Sequence, residues 1–213
     1  MFLRTLGVDR LEFVVASHAD ADHVGGLVDL ARTMPIGAFY SGPDRSESEV
    51  FGELERALAT RAVTRREARG GERLGEFGGV EIELLNPWPG QDDNEASVVM
   101  LLDYGDVEII LTGDIGASAE RRILEAGAAR DVEALKVAHH GSRSSSLDAF
   151  LDAFAPEIAL VSAGRGNSYG HPTAEAIDRL ESRAIEILRT DRDGTIRLST
   201  DGREIEVSVF RAN

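Results

Sequence analysis

All five histidines of the chain follow short apolar runs of the kind that form buried strands. The run LEFVVA leads into His18 and His23, LKVA into His139 and His140, and IALVSAG, through a short loop, into His171. A fourth run, VEIILTG, ends on Asp114. Parallel strands deliver their C-terminal ends to a common edge, so side chains far apart in sequence converge there. Such a chain must alternate strands with crossing helices and carry its chemistry along that edge.

The remaining pattern agrees. Strands are expected at Leu11–Ala16, Ile36–Ser41, Ala62–Arg66, Val80–Leu85, Leu135–Ala138, Ile158–Ser162, Ile185–Arg189, Ile196–Ser199 and Ile205–Phe210, the last two joined by the turn Asp201-Gly202. Ser97–Asp103 and Val107–Thr112 read as a hairpin. Helices are expected from Gly25-Gly26 to Thr33, where Pro35 stops the run, and from the capping box Ser46-Glu47-Ser48-Glu49 to about Thr60. Three more are expected at Ser118–Ala126, Ser146–Phe154, and from Pro172 to about Arg183. With no repeat and no linker, residues 1–213 read as a single α/β domain of ordinary size.

Composition narrows the chemistry. The chain has no cysteine, which excludes thiolate metal ligands and disulfides. Its formal net charge of −15 gives no general attraction to phosphates, so a polyanionic substrate needs a local positive source such as bound metal ions. The arginine-rich stretch 60–73 reads as a solvated face. No apolar run is long enough to cross a bilayer, so the chain reads as a soluble piece, or as the soluble part of a longer membrane protein.

Five histidines accompanied by Asp20, Asp22 and Asp114 point to a site for two divalent metal ions, since imidazole and carboxylate are the ligands such ions accept. In SHADADHVGG a carboxylate, Asp20, stands where a nitrogen ligand would bind zinc more tightly. That substitution moves the preference toward manganese, with magnesium also admissible and zinc still in range.

The motif SHADADHVGG resembles the His-x-His-x-Asp-His signature of the metallo-β-lactamase superfamily, with Asp20 in the place of the second histidine. NEASVVMLLDYGDVEIILTGDI, LKVAHHGSRSSS and SAGRGNSYGHP then follow in the order and approximate spacing of the ComEC family, whose members serve bacterial DNA uptake. The resemblance runs from about Leu3 to the C-terminus. It implies a metallo-β-lactamase fold, a four-layer αββα sandwich, and a metal-dependent nuclease or phosphodiesterase acting on DNA. It also implies a membrane channel domain in the same or a longer protein and a place outside the cytoplasmic membrane, or in the cytoplasm if the domain stands alone.

By the same resemblance, His18 and Asp20 hold one metal, Asp22 and His23 the other, and Asp114 bridges them. His140 is favoured over His139 to complete the second site, leaving His139 as a supporting residue or proton donor. His171 is a further ligand or the acid for the leaving group. Asp22, His139 and His171 are the catalytic candidates, and Ser142, Arg143, Ser144, Asn167 and Tyr169 the candidate substrate contacts. The family's first strand pair, with its Gly-Gln-Gly-Asp loop and Asp-Gly-Gly turn, has no counterpart here, so the expectation is a domain partial at its N-terminus. An exposed sheet edge there would favour self-association. The superfamily's further histidine before Ser97 has no counterpart in Asp92-Asp93-Asn94-Glu95, where either Asp93 or Asn94 substitutes or nothing does. The alternatives are another hydrolase of the superfamily (a lactonase, thioesterase or β-lactamase) and a binding or scaffold domain without activity.

Overall fold

The computed structural model describes residues 2–43, 46–88, 90–91 and 93–211, the side chains of Phe2 and Asp93 excepted. A short helix α1 (Phe2–Thr5) precedes β1 (Leu11–Ala16), α2 (Ala21–Thr33), β2 (Ile36–Ser41), α3 (Glu49–Thr60) and β3 (Thr64–Glu67). Strands β1, β2 and β3 form a parallel sheet in that order, with β1 at one edge. Then follow β4 (Arg73–Phe77), β5 (Val80–Asn86), β6 (Val99–Tyr104), β7 (Val107–Leu111), α4 (Ala117–Glu125), β8 (Ala134–Lys136), α5 (Asp148–Phe154), β9 (Ile158–Val161), α6 (Ala174–Glu181) and β10 (Glu186–Arg189). These strands make one sheet in the order β10-β9-β8-β7-β6-β5-β4. Its β4 to β7 part is antiparallel, while β7, β8, β9 and β10 run parallel. The chain ends through α7 (Thr190–Asp193) into the hairpin β11 (Thr195–Thr200) and β12 (Ile205–Phe210).

Side-chain alternation sets the layers. In β1, Val14 and Ala16 turn toward α2 and α3, packing with Val24, Val28, Leu54 and Leu58. Val15, on the opposite face, joins Leu84 of β5, Met100 of β6 and Val98 between the two sheets. Leu101, Ile110, Leu135 and Ala159 of the larger sheet face Ile123, Phe150, Phe154 and Leu180 on α4, α5 and α6. The result is helices, sheet, sheet and helices, the αββα order expected.

Two differences from the expected elements matter for the site. Helix α2 begins at Ala21, not Gly25, so Asp22 and His23 lie in its first turn. Here the partial positive charge of a helix start favours a carboxylate. Strand β8 ends at Lys136, and Ala138–Gly141 form a tight turn instead of extending the strand. Strand β4 was not foreseen. Its sequence RLGEF lacks an apolar alternation, since it is a largely exposed edge strand.

Candidate metal centre

The parallel part of the larger sheet sends the ends of β7, β8 and β9 to one edge. There Thr112-Gly113-Asp114, His139-His140 and Ser162 meet the Ser17-His18 end of β1. The two sheets are joined at this point by the Val98 N–H donating to the Ser17 carbonyl at 2.6 Å. Asp114 is fixed from behind, where its N–H donates to Ser97 Oγ at 3.1 Å. Gly113, before it, has φ +55°, and a Cβ there would stand 2.8 Å from Ser97 Cβ and 3.1 Å from Ser17 Cβ.

The two histidines after β8 are both in the left-handed region, His139 at φ 47° and His140 at φ 55°. Such backbone costs of order 1–3 kcal/mol per residue and persists where the surroundings dictate it. The dictating contacts are visible. Ser146 Oγ accepts from Ala138 N–H, and Ser145 Oγ donates to the Ala138 carbonyl. Glu120 of α4 accepts from the Ser146 and Leu147 N–H groups. Arg179 of α6 donates to the carbonyls of Arg143, Ser145 and Ser146. Gly141 then lets the turn pass Pro172, whose Cβ would be 2.5 Å from any Cβ at that position.

The side chains so placed form two overlapping groups. His18, His23 and Asp114 bring ligand atoms within 4.8 Å of one another, as do Asp22, His23 and His140. His23 Nε2 lies 3.3 Å from Asp114 Oδ1 and 3.1 Å from His140 Nε2. His140 Nε2 is 3.2 Å from Asp114 Oδ2 and 3.3 Å from Asp22 Oδ2. His18 Nε2 and Asp114 Oδ1 are buried and have no aligned hydrogen-bond partner, as expected of atoms shaped to meet a cation. The donor set of imidazoles and carboxylates fits a divalent ion.

The imidazoles are oriented from outside. His140 Nδ1 donates to the Ser162 carbonyl at 2.7 Å, which leaves Nε2 of the neutral ring as a lone pair. Ser17 Oγ contacts His18 Nδ1 at 3.2 Å and His23 Nδ1 at 3.0 Å. Lys136 donates to the Gly113 and Val137 carbonyls and stands 3.9 Å from Asp114 Oδ1.

The charges respond to one another. Burial pushes Asp114 upward, but the imidazoles of His140 and His23, with Lys136 beside them, outweigh it and hold the carboxyl well below the usual range. Burial, reinforced by His23, lowers His18. The Asp114 carboxylate raises His140.

Asp20, exposed at the start of α2, has Oδ2 3.6 Å from His18 Nε2 and belongs to neither donor group. His139 and His171 also stand outside both groups, with their rings 5.6 Å apart, and burial followed by His139 lowers His171. An open cleft of about 270 Å³ is lined by Asp22, His140, Ser162, Asn167, Tyr169 and His171. Ser142 is buried against Ser144 and Ser145. Arg143 is exposed and pairs with Glu175 at 2.9 Å. The Asn167 amide bonds the Gly164 and His171 carbonyls and the His171 N–H, closing its own loop. Asn94 lies in a short 3-10 turn before β6, while the Asp93 side chain and Asp92 lie outside the described residues. Ser17, Lys136 and Glu120 were not foreseen. A lysine between Leu135 and Val137 in a buried strand was the one available signal.

A family profile described as the metallo-beta-lactamase superfamily matches residues 1–165. ComE operon protein 3 of Bacillus subtilis is 30% identical over 98% of this chain and 27% of its own length. Competence protein ComA of Neisseria gonorrhoeae is 33% identical over 91% of this chain and 26% of its own length. The chain thus spans about a quarter of the curated relatives it matches. Among solved structures, Igni18, a metallo hydrolase from the archaeon Ignicoccus hospitalis, has a TM-score of 0.55 at 15% identity, covering 94% of this chain and 80% of that one. At that identity the likeness is one of fold.

Proposed function

The chain belongs to the metallo-beta-lactamase superfamily, as a hydrolase homologous to competence proteins, and we propose that it is a metal-dependent phosphodiesterase that cuts DNA during uptake. One observation carries the reading: two donor groups overlap at His23, with Asp114 reaching both His23 and His140. That arrangement suits a pair of divalent ions in close proximity. His18, His23 and Asp114 would hold one ion, and Asp22 with His140 the other. When bound, such ions offset phosphate charge and acidify the attacking water.

The chain's own residues supply the rest. Asp22, exposed at the cleft, would accept a proton from the attacking water. His139 and His171, beside the donor groups, would return a proton to the leaving oxygen. The site's carboxylates favour manganese, with zinc and magnesium as competitors. The competence relatives support DNA as the substrate. Each relative is far longer than the part this chain matches, which supports membership in a larger protein; that this protein bears a channel, with this domain outside the cytoplasmic membrane, belongs to the same proposal. No helix among the described residues is long and apolar enough to cross a membrane.

The test is to quantify bound metal in the purified chain and incubate it with single- and double-stranded DNA plus manganese, magnesium or zinc. Cleavage that Asp114→Asn abolishes, in a variant whose circular dichroism matches the parent, is expected. A folded, metal-loaded chain that hydrolyses lactone, thioester or lactam substrates but leaves DNA intact would overturn the reading.

A further inference from the structure

Tyr169 is 82% exposed, more than any other large hydrophobic residue described; Leu6 follows at 57% and Phe210 at 56%. A ring left in water forgoes the stabilisation of burial, so its placement calls for a reason. The loop that carries it is well fixed. Asn167 ties it to itself through three hydrogen bonds, and Thr190 Oγ1 accepts from the Ala163 N–H at its base. The Tyr169 ring lies nearly parallel to His171, at 16° and 6.2 Å between centroids. It also lines the cleft that contains Asp22 and His140. An aromatic face is therefore held at the mouth of the site next to the donor groups.

Building on the phosphodiesterase reading, we propose that Tyr169 is the stacking platform for one unpaired nucleobase beside the scissile phosphate, and that it makes the site select single-stranded over duplex DNA. Within a duplex both faces of each base are covered by neighbouring bases, so none away from the ends is free to lie on the ring. In a single strand every base offers one, whatever its identity. Long-range attraction contributes little to a chain of net charge −15, so strand affinity must come from local contacts of this kind. Arg165, exposed on the same loop, supplies a cation for a neighbouring phosphate.

Tyr169→Ala and Tyr169→Phe are compared with the parent on a labelled oligonucleotide, its blunt duplex, and the same strand carrying abasic sites. Binding is read by fluorescence anisotropy with calcium, and cleavage kinetics with manganese. Loss of one stacking contact should weaken single-strand binding by about tenfold in Tyr169→Ala and raise KM by a similar factor with kcat little changed. Tyr169→Phe should match the parent, and all three proteins should be alike on duplex and abasic strands. Equal single-strand binding by Tyr169→Ala and the parent, an equal loss on duplex, or a parent that binds no oligonucleotide would each overturn the proposal. If the parent binds single strands through Tyr169 but cuts none, the platform stands and the nuclease reading falls. If it cuts DNA regardless of residue 169, the reverse holds.

Discussion

His23 and His140, 117 positions apart in the chain, face each other Nε2 to Nε2 at 3.1 Å. His140 keeps its Nδ1 proton on the Ser162 carbonyl, so its Nε2 presents a lone pair to its neighbour. Two ring nitrogens this close need a proton or a cation between them, and Asp114 stands ready for either at 3.3 and 3.2 Å. His18 and His23 belong to the group that would hold one ion, so removing either should cost that ion alone. His18→Ala and His23→Ala should each reduce bound metal from about two equivalents to about one. Metal analysis of the dialysed proteins checks this, and loss of both ions from either variant would refute this division of the ligands.

The Ser17 hydroxyl reaches Nδ1 of both His18 and His23. A hydroxyl oxygen has two lone pairs, so it can take both Nδ1 protons and free both Nε2 atoms for a cation. Ser17→Ala should therefore weaken metal binding about 10- to 100-fold, the usual cost of losing a ligand's orienting partner. Titration calorimetry with manganese measures it. Thermal unfolding of the metal-free protein should change little by comparison.

Gly113 joins the end of β7 to Asp114 with a backbone angle that L-residues avoid, and its space is closed by Ser97 and Ser17. Gly113→Ala should destabilise the fold by about 2 kcal/mol or more, from the left-handed angle and the contact together. Because both neighbours touch the site, metal affinity should fall as well. Urea unfolding of metal-free protein separates the two effects, and unchanged stability would count against the tight packing at this turn.

What could be read from sequence follows from what leaves a local pattern. The strands ending at Ala16, Leu111, Lys136 and Val161 are apolar runs bounded by polar residues, so the edge that gathers the ligands was legible. The start of α2 was misread because Gly25-Gly26 looks like a helix entry, whereas the acidic Asp22 in the first turn is the better marker. The division of ligands was also beyond local pattern. Which imidazole faces which depends on the crossing of two sheets, and the pairing of His23 with His140 is a contact between them. Glu120 was invisible for a related reason. An acid in the helix ASAERRILE looks like a surface residue until α5 and its loop close over it.

Glu120 is buried where it accepts from the Ser146 and Leu147 N–H groups. Burial pushes its carboxyl from 4.5 up to about 7, against the lowering effect of the Leu147 and Ser146 N–H groups and of Arg179, with Glu95 adding to the rise. Between those values the folded chain holds a proton that the unfolded chain has released. Stability from this group is therefore present below about pH 4.5, is lost as pH rises toward 7, and is flat above. Glu120→Gln should remove that slope, a change of at most about 3 kcal/mol across the window. Urea unfolding of both proteins through the window reads the difference, and parallel curves would refute it.

Asp20 is the carboxylate of SHADADHVGG that stands outside both donor groups. Its carboxylate precedes α2, forms no hydrogen bond to the helix start, and lies 3.6 Å from His18 Nε2 without joining either donor group. Replacing it should therefore cost the fold little, about 0.3–1 kcal/mol of interaction with the helix dipole at most. Asp20→His would place an imidazole beside His18, and nitrogen donors favour zinc over manganese more than carboxylates do. Zinc affinity should rise relative to manganese, and any manganese-supported hydrolysis should fall relative to that with zinc. Competition titrations of the two metals against a chromogenic chelator measure the ratio. An unchanged ratio would mean that Asp20 lies too far from the bound ion to set its identity, leaving Asp22 and Asp114 as the carboxylates that do.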